Sequence, residues 1–459
     1  MPEHTRPARG MRDFLPEDVR RRDYVIAVIK DVYGGYGFEP LETPALENIE
    51  TLTGKYGEEG NKLIFKVLRR GEHEASGDVD LALRYDLTVP LARVVAEYRG
   101  KLPRFFKRYQ IQPVWRADRP ARGRFREFYQ CDVDAIGSRS PVVETELCAA
   151  VSDVLLRLGF ADFLLKLNHR GVLAGLLDAA GVPADLHATA LVALDKMDKI
   201  GPEGVRRELE ARGIPATTLA DTFARLAAAG QGKKSRDEAN HAVIGDLYGV
   251  LSEHADAAVA VDDLREIVDL CGATSAGPHL QVDISLARGL SYYTGAIMEI
   301  AVPDLAGSLG GGGRYDGLIG MFLGENIPAC GFSLGLERIL VVMAERGMFP
   351  PRVQSAAADA IVTLFEGEPI EEALRLAAEL RTRGIRVELY PEPAKLGRQF
   401  KYAGDRGIRF AVIMGSDERA RQEVTIKNLE TGEQSTVPRG AVAERLAAGI
   451  ERKAADPGV

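Results

Sequence analysis

The chain has 459 residues, of which 46% are hydrophobic and 27% are charged, and its formal net charge is −8 at pH 7. This length exceeds what one hydrophobic core supports, so we expect two or three domains. The composition is that of an ordinary soluble protein. The acidic balance excludes a generally basic nucleic-acid coat protein, although a local basic patch could still bind RNA.

The sequence shows no sign of a membrane segment, a disulfide framework or a zinc site. Its apolar runs are too short to cross a bilayer, and the charged start MPEHTRPARGMRDFLPED lacks the apolar stretch of a signal peptide. We therefore expect a cytoplasmic protein with no membrane partner. The four cysteines (Cys131, Cys148, Cys271 and Cys330) are scattered without a CxxC pair, so we expect no disulfides and no zinc.

The first predicted element is a helix that begins near Pro16 and ends at Gly34 and Gly35. Strand-like segments follow, separated by turns and helices: FEPLETP, LALRYD, RFFKRYQIQPVW and FREFYQCDVDAI. A further pair, HLQVDISLA and GAIMEIAV, lies at 279–301. This order lacks the regular alternation of a parallel α/β sheet. It predicts an α+β fold with an antiparallel sheet flanked by helices.

Composition divides the chain further. The segment 172–270 is rich in alanine and leucine without a strand pattern, which predicts a helical insertion between two parts of one domain, 1–171 and 271–347. A proline pair in MFPPRVQSAA predicts a linker at 348–357. The segment 358–455 alternates strands and helices and predicts a small α/β domain.

The segment VWRADRPARGRFREFYQCDVDAIG, 114–137, predicts two strands joined by an arginine-rich loop. Five arginines and one aspartate lie between Arg116 and Arg126, and guanidinium groups suit phosphate and carboxylate oxygens. Alternation on the returning strand places five side chains on one face: Arg126, Phe128, Gln130, Asp132 and Asp134. This face could bind a ligand's ammonium and ring N–H groups. The alternative is a solvated strand face beside a charged loop.

Two further segments carry candidate polar groups. In LRYDLTVP, 83–90, Asp86 and Thr88 could bind a cationic amine together, or Thr88 could simply cap the following helix. In ARGLSYYTGAIMEI, 287–300, Arg288 precedes Tyr292 and Tyr293, which could recognise a ligand or only pack in the core.

A glycine-rich segment and a helix complete the set. GSLGGGGRYDG, 307–317, lacks the GK[ST] ending of a P-loop, and a turn with positive φ angles is the simpler interpretation. CGFSLGLERILVVM, 330–343, predicts a helix with Arg338 opposite its apolar stripe. That arginine is either exposed or faces a ligand across the sheet.

Together these motifs resemble class II aminoacyl-tRNA synthetases, and specifically the histidyl-tRNA synthetase family, over nearly the whole chain. Pro44 stands where the first class II motif has its proline; WRADRPARGRFREF resembles the second motif and GFSLGLERI the third. ARGLSYYTG and QCDVDAIG resemble segments particular to the histidine enzymes. The resemblance implies a class II antiparallel catalytic sheet over 1–171 and 271–347, an anticodon-binding domain over 358–455, and a homodimer.

The activity implied by this resemblance is a ligase that activates L-histidine with ATP and Mg²⁺, releases pyrophosphate, and transfers histidine to the 3′ end of the histidine tRNA. Arg116 would hold the α-phosphate and the histidine carboxylate, and Arg288 would act as a catalytic cation at the same phosphate. Arg124 and Arg338 would hold the outer phosphates of ATP. Protein side chains would supply no metal ligand.

The resemblance also implies a histidine pocket made of seven residues besides Arg116 and Arg288: Asp86, Leu87, Thr88, Gln130, Asp134, Tyr292 and Tyr293. Asp86, Thr88 and Gln130 would bind the α-ammonium. Asp134 and Tyr293 would pair with the imidazole nitrogens. Ser291 and Asp118 depart from the residues usual in the family, aspartate and glutamate, so the contact to adenine stays open. Arg119 and Arg122 are candidates to meet the extra 5′ guanosine of the tRNA.

Two alternatives remain at this point. One is a non-catalytic paralogue that acts as the regulatory subunit of ATP phosphoribosyltransferase. Members of that group typically lack the anticodon domain and the arginine of the third motif, whereas this chain has both. The other is a synthetase for threonine, proline or glycine, against which the tyrosine pair and Asp134 argue.

Overall fold

The computed structural model describes residues 5–69, 71, 77–194, 196–214, 217–287, 292–354 and 358–455. The chain divides into two compact units, Met1–Met348 and Phe349–Val459. Among the described residues, none of the helices combines the length and the apolar character that a membrane span requires.

The first half of the first unit alternates short strands with helices. Its elements are α1 (Pro16–Gly35), β1 (Glu39–Pro40), β2 (Leu46–Asn48), α2 (Ile49–Leu52), α3 (Gly57–Lys62), β3 (Lys66–Leu68), β4 (Val79–Leu83), α4 (Thr88–Tyr98), β5 (Phe106–Trp115), β6 (Glu127–Ile136), α5 (Val142–Arg157) and β7 (Leu164–His169).

A run of helices then separates β7 from the remaining strands of the unit. The helices are α6 (Arg170–Ala179), α7 (His187–Leu194), α8 (Met197–Ala211), α9 (Thr217–Ala229), α10 (Arg236–Leu251) and α11 (Ala255–Cys271). The unit ends with β8 (Leu280–Val282), β9 (Ala296–Ala301), β10 (Ser308–Arg314), α12 (Gly320–Leu323), β11 (Ala329–Gly335) and α13 (Leu336–Glu345). The finer division into an insertion at 172–270 and a linker at 348–357 stays a prediction.

The main sheet of this unit has eight strands in the order β1-β5-β6-β11-β10-β9-β7-β8 among the described residues. The two edge pairs, β1 with β5 and β7 with β8, are parallel, and the pairs between them are antiparallel. The predicted α+β fold is therefore confirmed, with the difference that the sheet is mixed at its edges. A smaller antiparallel sheet has the order β2-β4-β3.

The opening helix confirms the sequence pattern. It begins at Pro16, whose missing N–H is not needed at a helix start, and it ends at Gly35. Val25, Ile29 and Val32 recur on one face and are buried, because spacings of three and four residues return to the same side of a helix.

The glycine-rich segment is a strand and not the predicted turn. Residues 308–314 form β10 between β9 and β11, and Gly307, just before it, has a φ of 110°. A Cβ on Gly313 would lie 3.0 Å from the ring of Tyr293, and one on Gly312 would lie 2.2 Å from the carbonyl oxygen of Gly331. The glycines are required by close packing on both faces of a central strand, which local turn signals do not reveal.

The second unit is a small α/β fold. It contains α14 (Pro351–Gln354), β12 (Ala360–Val362), α15 (Ile370–Thr382), β13 (Val387–Leu389), α16 (Leu396–Asp405), β14 (Phe410–Ile413), α17 (Ser416–Ala420), β15 (Glu423–Asn428), β16 (Gln434–Pro438) and α18 (Val442–Ala455). Its sheet has the order β13-β12-β14-β15-β16, with β12 parallel to both neighbours. Its own apolar core includes Val362, Leu376 and Leu446.

Candidate active site

A cavity of about 930 Å³ lies over the middle of the main sheet in the first unit. Neighbouring strands place side chains in one row at and beneath its floor, with Asp132 below the lining, because residues paired across strands point to the same face. Asp132 of β6 pairs with Ser333 of β11, which pairs with Gly311 of β10, and Gly311 pairs with Glu299 of β9. Glu299 in turn pairs with Lys166 of β7, so the floor is polar on both sides of the glycine.

The arginine-bearing segment forms the predicted hairpin of β5 and β6, and its loop lies beside α13. Ala121 and Arg124 form a two-residue bridge around a tight turn, in which Gly123 has a φ of 67°. A Cβ on Gly123 would lie 3.3 Å from Cγ of Arg338, so the loop lies close against that arginine. The hairpin and α13 thereby present their cations to one cavity.

Three of the predicted phosphate-binding arginines line this cavity together: Arg116, Arg124 and Arg338. The Nε of Arg116 donates to the carbonyl oxygen of Tyr85 at 3.0 Å, and its guanidinium lies 4.3 Å from the ring centroid of Tyr85. Arg124 pairs with Asp118 at 2.7 Å. Arg338 donates to the carbonyl oxygen of Ser308. Arg116 and Arg338 are thus held in place by the protein's own backbone.

Asp86 and Thr88 also line the cavity, at the start of α4. Asp86 accepts hydrogen bonds from the hydroxyl of Tyr56 at 2.9 Å, the amide of Val89 at 3.1 Å and the hydroxyl of Tyr292 at 3.3 Å. Its carboxylate therefore caps the helix, which corrects the alternative in which Thr88 does so. Burial raises the pKa of Asp86, whereas its hydrogen bonds and the nearby Arg116 lower it.

Gln130 lies on the cavity wall and is 9% exposed. Its Nε2 donates to Oγ of Ser333 at 3.0 Å. Within the described part of the chain, its carbonyl oxygen is buried and has no hydrogen-bond partner. Such an acceptor is costly unless a ligand or water satisfies it, so it marks a binding position.

Asp134 lies beneath the cavity, and the structure does not place it or Leu87 on the cavity lining that it describes. The hydroxyl of Tyr315 donates to one carboxylate oxygen of Asp134, and Nη2 of Arg108 lies 2.9 Å from the other. Leu87 is fully buried, and its carbonyl oxygen accepts from Arg108 at 3.4 Å. Burial raises the pKa of Asp134, and the cation of Arg108 partly offsets this rise.

The two tyrosines of the predicted recognition segment line the cavity with their rings in an edge contact, 5.1 Å between centroids. Burial raises the pKa of both Tyr292 and Tyr293, so each hydroxyl stays protonated at neutral pH. Arg288 and Ser291, from the same sequence motif, lie outside the described residues.

Several side chains of the site were missed by sequence reasoning. Arg108 is completely buried beside two aspartates, although its segment read only as a strand. Glu337 lines the cavity at 2% exposure and accepts the amide of Tyr129 through both oxygens, at 3.0 and 3.1 Å. Burial raises its pKa to about 7. Arg108, Gln110 and Gln112 occupy alternate positions of β5 and so share one face of the strand. This polar face was a signal that could have identified Arg108.

The arrangement separates two chemical environments within one cavity. Guanidinium groups line the side near the hairpin loop and α13, which suits phosphate oxygens. Carboxylate, amide and phenol groups line the side near Asp86 and Gln130, which suits a cationic amine and a small polar ring. Among the described residues, no cluster of three or more histidine, cysteine or acidic side chains could hold a metal ion.

Comparisons with known proteins agree along the chain. The family described as Histidyl-tRNA synthetase matches residues 10–339, and the family described as Anticodon binding domain matches residues 359–448. The Histidine--tRNA ligase of Gloeobacter violaceus is 44% identical over an alignment that covers 95% of this chain and 97% of that protein. That of Cytophaga hutchinsonii is 39% identical, with 95% and 98% covered.

Solved structures show the same fold. The crystal structure of histidyl-tRNA synthetase from Nostoc sp. PCC 7120 matches with a TM-score of 0.82 at 30% identity, covering 97% of this chain and 99% of that chain. A Bacillus halodurans structure, titled as an ATP phosphoribosyltransferase regulatory subunit/histidyl-tRNA synthetase, matches with a TM-score of 0.72 at 23% identity, covering 90% and 99%. At that identity the likeness concerns the fold alone.

Proposed function

This chain belongs to the histidyl-tRNA synthetase family, and we propose that it activates L-histidine with ATP and transfers the histidine to its tRNA. The observation that carries the proposal is similarity at 44% identity across 95% of the chain, including both compact units. The regulatory-subunit alternative has less support, because curated relatives that match most of the chain at 37–44% identity are histidine--tRNA ligases.

In the first step, an oxygen of the histidine carboxylate attacks the α-phosphorus of ATP in line, and the bond to pyrophosphate breaks. No covalent enzyme intermediate is needed, so catalysis consists of aligning two anions and stabilising charge on the α-phosphate. We assign Arg116 to the α-phosphate and the carboxylate, and Arg124 and Arg338 to the outer phosphates. Arg288 is assigned as the catalytic cation from its sequence motif.

ATP enters with Mg²⁺ bound to its phosphates, as one substrate. The side chains proposed for the outer phosphates are guanidinium groups, which donate hydrogen bonds and do not coordinate cations. In the second step, the terminal ribose hydroxyl of the tRNA attacks the carbonyl carbon of the adenylate, and AMP leaves.

For histidine, we assign Asp86, Thr88 and Gln130 to the α-ammonium, supported by the buried carboxylate of Asp86 and by the buried oxygen of Gln130, to which no described residue donates. Asp134 and Tyr293 are assigned to the imidazole nitrogens, with Tyr292 beside them. Because Asp134 lies beneath the cavity, paired with Arg108, we expect the ring to bind at the deep end of the site.

The second unit is proposed to bind the anticodon, in keeping with its match to that domain family. Arg119 and Arg122 remain candidates for the 5′ guanosine of the tRNA. A homodimer and a cytoplasmic location also belong to the proposal. Light scattering after size-exclusion chromatography tests the dimer, for which we expect twice the 49.9 kDa of one chain.

Exchange of labelled pyrophosphate into ATP, with each of the twenty amino acids in turn, tests the activity. We expect exchange with histidine alone, followed by charging of a histidine tRNA transcript in a second assay. If folded protein gives no exchange with any amino acid, the proposal fails and the regulatory subunit becomes the better hypothesis. Exchange with a different amino acid would overturn the assignment of the substrate.

A further inference from the structure

A buried series of polar side chains connects the cavity wall with the completely buried Arg108. Nε2 of Gln130 donates to Oγ of Ser333, and hydrogen bonding by the Ser333 side chain lowers the pKa of Asp132. Asp132 and Ser333 are paired across β6 and β11, which explains the contact. Nη2 of Arg108 lies 3.9 Å from Oδ2 of Asp132 and 2.9 Å from Oδ2 of Asp134, so one cation serves two carboxylates.

The chemistry of these side chains fixes which group donates and which accepts in each hydrogen bond of the series. An ionised carboxylate can only accept, so in a hydrogen bond between these two side chains the hydroxyl of Ser333 is the donor. The Oγ lone pairs of Ser333 are then left to accept from Gln130, whose NH₂ group takes that position. The carbonyl oxygen of Gln130 is thereby turned away from Ser333, and it is the buried acceptor for which the described residues offer no partner.

We propose that Asp132, acting through Ser333, is a positioning residue that holds the carbonyl oxygen of Gln130 ready to accept the α-ammonium of histidine. The inference rests on the proposed function and deepens it, since it explains how an amide distinguishes an ammonium from a group that only accepts hydrogen bonds. Arg108 acts one step further away, because its cation favours the ionised form of Asp132.

Protonation of Asp132 reverses the donor and acceptor roles along this series of hydrogen bonds. The carboxylic acid would donate to Oγ of Ser333, whose hydroxyl hydrogen would turn to Gln130 and favour its carbonyl oxygen there. The NH₂ group of Gln130 would then face the ammonium, which weakens binding. Burial raises the pKa of Asp132 to about 7, Arg108 lowers it, and the neighbouring Asp134 raises it.

The titratable and charged groups that face Asp132 come from several elements around it: Arg108 of β5, Asp134 of β6, Asp86 before α4, Tyr293 before β9 and Tyr33 of α1. Among them, Tyr33 and Tyr293 have raised pKa values and stay neutral near pH 7. We therefore expect the KM for histidine to rise as the pH falls through about 7.

Steady-state pyrophosphate exchange by the full-length Asp132→Asn variant tests the inference. The amide of the new side chain can donate to Ser333 at every pH. The KM for histidine should rise about tenfold to a hundredfold, the range for a hydrogen bond to a charged group. The KM for ATP and kcat should stay within about twofold, and the pH dependence of the histidine KM should flatten.

Rescue separates positioning from a general structural effect. Adding Gln130→Glu to Asp132→Asn supplies a side chain that accepts at both oxygens, so its orientation no longer matters. We expect the histidine KM to return to within about threefold of the wild type. Glu47→Gln, the same change at a buried acid that pairs with Arg93, is the control and should leave the histidine KM unchanged.

Ser333→Ala gives a second route if Asp132→Asn does not fold, because it removes the connection without changing charge. It should raise the histidine KM and abolish its pH dependence near neutrality. An unchanged histidine KM in both variants, an equal rise in the ATP KM, or a failure of rescue overturns the inference. In each of these outcomes the wild type still exchanges with histidine, whereas failure of the proposed function is seen in the wild type itself.

Discussion

Single side chains at this site are held in protonation states that their free amino acids would not have. Glu337 is 2% exposed, and burial raises its pKa to about 7, although it accepts the Tyr129 amide and has Arg12 and Arg22 nearby. The unfolded chain would release this proton near pH 4.5, the ordinary value for glutamate. Between these two pH values, the native state binds a proton that the unfolded state does not, so stability falls as the pH rises.

Replacing Glu337 with glutamine removes this titration. The amide oxygen can still accept from the backbone of Tyr129, so the Glu337→Gln variant should gain stability relative to the wild type as the pH increases. A shift from 4.5 to about 7 corresponds to roughly 3 kcal/mol in full, of which roughly 2 kcal/mol falls between pH 5.5 and 8.

Urea unfolding at these two pH values measures the difference, followed by the fluorescence of Trp115, the single tryptophan, which lies in β5 of the first unit. A stability difference between variant and wild type that is the same at both pH values would contradict the assigned pKa. The double change Arg99→Gln with Glu325→Gln, at an exposed ion pair elsewhere on the first unit, is a suitable reference for surface effects.

At the scale of elements, β10 is the strand on which the shape of the cavity depends. Its glycines let the sheet pass beneath the site without side chains of its own, and Gly313 leaves the space that the ring of Tyr293 occupies. The substitution Gly313→Ala would place a Cβ 2.6 Å from the carbonyl oxygen of Ala296 on β9 and 3.0 Å from that ring, both closer than ordinary contacts. Strand β9 and the ring cannot both remain in place, so the segment that carries the residue assigned to the imidazole would shift.

Gly313→Ala should therefore raise the KM for histidine at least tenfold in pyrophosphate exchange, with a smaller effect on the KM for ATP. Gly317→Ala is the matched control, because a Cβ at Gly317 meets nothing within 4 Å and Gly317 does not have a positive φ. Equal histidine KM values for the two variants would show that the close approach at Gly313 does not matter for the site.

The sequence predicts an element of the fold when the residues that determine the element lie within it. Helix α1 was recognisable because Pro16, Gly35 and the spacing of its apolar residues all lie within the element. The hairpin of β5 and β6 was recognisable for the same reason. The glycines of β10 were misread as a turn because their cause is the packing of Tyr293 and β11, which are distant in sequence or on another strand.

The candidate site was predicted in part for a similar reason. Arg116, Asp86 and Gln130 belong to motifs that can be recognised from their residue types and spacing, and they line one cavity. Arg108 lies in no such motif, and Ser333, although part of GFSLGLERI, has no role that its motif alone indicates. Their importance appears only when β5, β6 and β11 lie side by side, since the sequence predicts the pairing of β5 with β6 but not that of β6 with β11.

At the scale of the whole molecule, the chain consists of two compact units, and no sheet among the described residues is shared between them. All residues that line the cavity belong to the first unit, Met1–Met348. The match to the anticodon-binding family lies within the second, Phe349–Val459. Adenylate formation needs histidine and ATP alone, whereas transfer also needs the tRNA to be held, so the two activities should separate along this division.

A chain ended after Met348 should retain histidine-dependent pyrophosphate exchange within about tenfold of the full chain, because the cavity and the core beneath it are intact. Charging of a histidine tRNA transcript should fall by at least a hundredfold in kcat/KM, since contacts to the anticodon are lost; several hydrogen bonds to the RNA together supply a difference of that order. Circular dichroism establishes that the shortened chain is folded. A folded fragment that charges the transcript as well as the full chain would remove the second unit from tRNA recognition. A folded fragment without exchange would instead make the second unit necessary for adenylate formation.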